Sequence, residues 1–155
     1  MSRVKFLAIA AFLLAELPTS FYVFAQQELV DKRKALMGAN GKAIVAIGNA
    51  AKEKDYATIQ LKAKEITEGL DAAGKLFPPG STGEKSRAHP DIWTKPDEFK
   101  NSLVNARKAA DALTKAAAAK DETDVMTKVK DLGNSKDGAC GACHKVFRSD
   151  FRKDG

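Results

Sequence analysis

The chain has 155 residues, 44% of them apolar and 30% charged, with a formal net charge of +6. That length suits one domain with a modest core and leaves no room for two. Its bases are interleaved with acids and its few aromatics fall at core spacings, which excludes a nucleic-acid-binding surface.

Residues 1–25 read differently from the rest. Arg3 and Lys5 precede an apolar run from Phe6 to Ala15, and the stretch closes on Val23-Phe24-Ala25. This is the order of a secretory signal peptide, predicted to be cleaved after Ala25 so that Gln26 leads the mature chain. Glu16 and Pro18 interrupt the run before the roughly 20 apolar residues a bilayer span needs, so no stable membrane insertion is expected after processing. Loss of Arg3, Lys5 and Glu16 leaves a domain over 26–155 with a charge of +5. A mild positive charge can steer encounters with an acidic partner.

Four segments then carry helical periodicity. The first runs from about Glu28 to Lys52, with Leu29, Met37 and Ile44 among its apolar positions. The second places Tyr56, Ile59, Ala63, Ile66, Leu70, Ala73 and Phe77 at steps of three and four. The third repeats that rhythm through Phe99, Leu103, Ala106, Ala110, Leu113 and Ala117, and the last sets Val125, Val129, Leu132, Cys140, His144, Phe147 and Phe151 near one stripe. Asp55 and Asp121 are predicted N-caps, and Thr94 with Asp97 gives a capping-box pattern. The Pro/Gly-rich stretch FPPGSTGEKSRAHPDIW between the second and third segments is long enough to cross one end of a bundle. The expected fold is all-α, an antiparallel four-helix bundle behind a cleaved signal peptide. Its alanines and the glycines 38, 41 and 48 leave the core thin, with space that a large planar cofactor would fill.

Both cysteines and one of the two histidines lie in Cys140-Gly-Ala-Cys143-His144. This is the attachment signature of c-type haem: two thiols add across the vinyl groups as thioethers, and the adjoining imidazole faces the iron. On a helix His144 sits about one turn after Cys140, so a single element can hold both porphyrin edge and metal. A thioredoxin-like thiol pair would need a βαβ setting that the periodicity does not supply. A zinc site would need a fourth ligand, for which His89 is the remaining histidine.

The sixth iron position has three candidates, Met37, Met126 and His89. If the last helix is continuous, Met126 stands about 27 Å before His144 and cannot reach the same iron. His89, beside Pro90, suits a capping or solvent role. Met37 is on another helix, either as core packing or as a thioether facing the haem. Arg33 lies one (i, i+4) step before it, where a guanidinium would either pair with a haem propionate or reach out to solvent.

These residues resemble the class II cytochromes c, four-helix bundles that include the cytochromes c-prime. The resemblance covers nearly all of the mature chain and rests on Arg33-x-x-x-Met37, Pro90-Asp91-Ile92-Trp93 and Cys140-Gly-Ala-Cys143-His144-Lys-Val-Phe147-Arg148. The opening QQELVDKRKALMGANGKAI and the closing FRSDFRKDG are most similar to the low-spin cytochrome c-556 type. The resemblance implies one covalent haem c linked at Cys140 and Cys143, with His144 as proximal ligand, Met37 as distal ligand and Arg33 near a propionate. Some high-spin members keep a methionine that only packs over an open iron face, so the motif alone leaves coordination undecided.

The expected function is therefore that of a periplasmic electron carrier, not an enzyme, working with unidentified redox partner proteins as a monomer or homodimer. Lys145, Arg148 and Arg152 are candidate docking charges around the haem edge. The alternative is a five-coordinate protein of the c-prime sort that binds nitric oxide or carbon monoxide. No paired carboxylates, activated nucleophile or phosphate-cradling loop argues for catalysis.

Overall fold

The computed structural model describes residues 19–150. Six α-helices, α1 (Thr19–Lys52), α2 (Tyr56–Ala73), α3 (Asp91–Thr94), α4 (Pro96–Ala119), α5 (Glu122–Gly133) and α6 (Ala139–Phe147), follow one another with a 3₁₀ turn at Gly74–Leu76. Helices α1, α2 and α4 pack side by side, and α5 closes the ring between α4 and α1, with α6 extending the fourth position against α4. This is the expected four-helix bundle, its hairpins joined by connections short enough to make neighbours antiparallel. Among the described residues the only extended pairing is an isolated antiparallel bridge between Ala88 and Arg148. No described helix is long and apolar enough to cross a membrane.

The predicted caps form at two of three places. Asp55 accepts the backbone N–H of Thr58 at 3.0 Å, and Asp121 accepts that of Asp124 at 3.0 Å, each satisfying a donor in the first turn of its helix. The preceding turns place Lys54 and Lys120 in the left-handed region, at φ of 56° and 55°. Thr94 does not cap the third bundle helix. It ends α3 instead, and α4 opens on Pro96 at its first position without a side-chain cap. Proline drives the residue before it out of the helical region and needs no N–H partner itself, so Pro96 sets that boundary and Thr94 does not.

Two further boundaries depart from expectation. Helix α1 begins at Thr19 and so runs back into the predicted leader, most of which, residues 1–18, lies outside the described residues, as do Phe151 and Arg152. The fourth segment is two helices, not one, so the distance argument against Met126 does not hold as made. Asn134 makes the break: its Oδ1 accepts the N–H groups of Lys136 at 2.8 Å and Asp137 at 3.4 Å, and its carbonyl accepts that of Gly138 at 3.0 Å. Such a side chain offers the backbone an alternative to the helical ladder.

The core is built of small and branched residues. Ala63, Ala110 and Ala117 are fully buried beside Ile59, Ile66, Leu113 and Leu132. A second, aromatic cluster lies at the end where α3 and α6 meet, with Phe99 edge-on to both Phe77 and Phe147 at centroid distances of 5.0 and 5.2 Å. Between the two clusters the bundle opens into a cavity.

Candidate functional site

The cavity has a volume of about 400 Å³, within the range of cofactor-sized pockets. Arg33, Met37, Gly38 and Gly41 line it from α1, Leu70 from α2, Leu103 from α4, and Cys140, Cys143 and His144 from α6. A Cβ built on Gly38 or Gly41 would meet nothing within 4 Å, so the glycines of α1 leave one side of the space open.

Helix α6 is pressed against the break that precedes it. A Cβ at Gly141, between the two cysteines, would stand 2.3 Å from the carbonyl oxygen of Ser135 and 2.6 Å from that of Asn134. Glycine is thus required inside the attachment motif by close backbone approach, which fixes how α6 presents Cys140 and Cys143 to the cavity. Cys140 and Cys143 are not joined to each other as a disulfide. Burial raises the pKa of each, that of Cys143 to about 11, so they are held protonated.

Burial also lowers the pKa of His144, assisted by the charges of Arg148 and Arg87 and opposed by Asp150. The imidazole is kept neutral, the form that binds metal.

The three candidates for the distal position separate cleanly. Met37 lines the cavity with His144, whereas neither Met126, which is 41% exposed, nor His89 does. His89 is engaged locally: its Nδ1 accepts the N–H of Asp91 at 3.2 Å, and its own backbone N–H donates to the carbonyl of Phe147 at 2.9 Å. Among the described residues no three His, Cys, Asp or Glu side chains are grouped so as to hold a metal ion, so the structure assembles no zinc site around these cysteines.

Arg33 is 6% exposed, the most deeply placed cation the structure describes. Its Nε donates to the carbonyl of Leu76 at 2.6 Å, its Nη2 donates to the hydroxyl of Ser81, and its guanidinium stacks 4.3 Å from the centroid of Phe77. Its Nη1 is buried with no hydrogen-bond partner. A buried guanidinium nitrogen left unpaired is costly, and an anionic oxygen would satisfy it. Haem fits this donor set: two thiols and a neutral imidazole on one helix, a thioether from another, and an unsatisfied cation for a propionate.

The sequence did not single out Ser81, Arg87 or Asp150. Ser81 is buried where it accepts from Arg33, and a serine in a Pro/Gly-rich loop carries no signal of that contact. Arg87 and Asp150 meet across 63 residues.

Comparison with known proteins agrees with this geometry. The family model described as Cytochrome C′ matches residues 28–148. Cytochrome c-556 of Rhodopseudomonas palustris is 33% identical over 138 residues, covering 84% of this chain and 89% of that protein. Cytochrome c′ of Pararhodospirillum photometricum is 36% identical over 125 residues, covering 77% and 94%. A solved cytochrome c′ described as having a ligand-controlled dimer dissociation superposes with a TM-score of 0.71 at 24% identity, over 80% of this chain and 96% of that one. With a family match across most of its length and a cavity that joins Cys140, Cys143 and His144, the chain belongs to the cytochrome c′ family of class II cytochromes c, proteins that bind one covalent haem c.

Proposed function

We propose that this cytochrome is a periplasmic single-electron carrier whose haem iron would be held by His144 and Met37. Bound haem supplies the one-electron couple, and a thioether ligand favours its ferrous state. Cys140 and Cys143 provide the two covalent anchors. His144, kept neutral by burial, would hold the iron through its imidazole, and the unpaired Nη1 of Arg33 would pair with a propionate. The apolar walls, Phe99 and Leu103 among them, limit water around the site. Two protein ligands would leave no coordination site for substrate, which suits outer-sphere transfer to a redox partner and not catalysis. Export follows from the leader over residues 1–25, with 26–155 as the mature domain, acting as a monomer or homodimer and without nucleic acid.

The observation that carries this reading is the placement of Met37: of the three candidate distal donors it alone lines the cavity that His144 faces. The relatives include both a cytochrome c-556 and a cytochrome c′, so the gas-binding alternative is tested directly. Carbon monoxide added to the reduced haem-loaded protein should bind slowly or incompletely, and rapidly and fully after Met37→Ala. Rapid, complete binding by the unmodified protein would transfer the assignment to the five-coordinate, gas-binding class.

A further inference from the structure

Arg87, in the long loop, and Arg148, just beyond α6, both line the cavity that holds His144. They converge on one carboxylate. Asp150 accepts from Nε and Nη2 of Arg148 at 2.7 and 2.8 Å, a two-point pairing, and from Nη1 of Arg87 at 3.0 Å. The backbones are joined at the same place by the Ala88–Arg148 bridge: the N–H of His89 donates to the carbonyl of Phe147, and the N–H of Ser149 to that of Arg87, each at 2.9 Å. Isolated surface ion pairs contribute little, but two-point arginine geometry and shared partners are the conditions under which they matter.

We propose that Asp150 is a positioning residue for the haem edge: it ties Arg87 to Arg148, closing the long loop against the end of α6 and setting the net charge beside His144. This rests on the assignment of His144 as an iron ligand. Two arginines and one carboxylate leave a single positive charge in the cluster, and removing Asp150 would leave two. Reduction lowers the charge at the iron by one, so added positive charge favours the reduced form and added negative charge the oxidised form. Arg33 and Lys34 also line the cavity and are unchanged in the comparison.

The test uses the haem-loaded protein with Asp150→Asn, Arg87→Gln and the double variant. Redox titration is expected to give a higher potential for Asp150→Asn and a lower one for Arg87→Gln, with both shifts shrinking as salt is raised. Hydrogen exchange at the amides of His89 and Ser149 should accelerate in both single variants. Opposite-signed, salt-sensitive potential shifts are not produced by mere loosening of a loop. Unchanged potentials, or shifts of the same sign in both variants, overturn the proposal while covalent haem and unaltered axial ligation leave the carrier assignment standing. Absence of covalently added haem mass in the unmodified protein overturns both.

Discussion

Gly141→Ala isolates the effect of packing inside the attachment motif. In an unobstructed helix interior, replacing glycine by alanine gains about 1 kcal/mol. At Gly141 the new methyl would stand 2.3 Å from Ser135 O and 2.5 Å from Ser135 C, both backbone atoms that no side-chain rotation can move aside. Overpacking of this kind costs about 1–3 kcal/mol, so the net expectation is a loss of up to about 2 kcal/mol. Gly48→Ala is the matched control. It lies within α1 with nothing within 4 Å of its added Cβ, and should gain about 0.5–1 kcal/mol. Denaturant unfolding of the haem-loaded variants measures both, with equal m-values required for comparison. Covalently added haem mass should also fall in Gly141→Ala, because the shift falls between the two anchoring thiols. Equal or greater stability for Gly141→Ala, with full haem attachment, would refute the claim that the break at 134–138 backs α6.

Ser81→Ala removes the acceptor for Nη2 of buried Arg33 and leaves that nitrogen unpartnered; unfolding should show a loss of about 1–3 kcal/mol, and a change below about 0.5 kcal/mol would mean that Arg33 finds water there. Asp150 has its carboxyl pKa lowered from 3.8 to about 2, first by the hydrogen bond from Arg148. Its stabilising contribution is therefore complete above about pH 4 and is lost as pH falls towards 2. Acid titration of stability should show Asp150→Asn converging with the unmodified protein across that window, and parallel curves would contradict the pairing.

Local chemistry carried most of what the sequence disclosed. The Cys140–His144 spacing points to haem by itself, and Asp55 and Asp121 cap the helices they precede. The periodicity misled at α5 and α6, because Val125, Val129 and Leu132 fall on nearly the same stripe as Cys140, His144 and Phe147 when the turn between them is ignored. The turn-forming run Gly133-Asn134-Ser135 through Gly138 was the readable signal. The start of α1 was obscured because an apolar leader and a helix share the same composition. The pairing of Arg87 with Asp150, the burial of Ser81 and the close approach behind Gly141 depend on how distant segments meet, and no short-range pattern encodes them.

The central claim is that Met37 faces the same iron as His144. The most direct measurement is the absorption spectrum of the oxidised, haem-loaded protein in the far red, where a thioether bound to ferric iron gives a weak sulfur-to-iron charge-transfer band. The account predicts a low-spin spectrum with that band, lost in Met37→Ala. A high-spin spectrum without it in the unmodified protein would show that Met37 only packs over an open face, and would contradict the electron-carrier assignment.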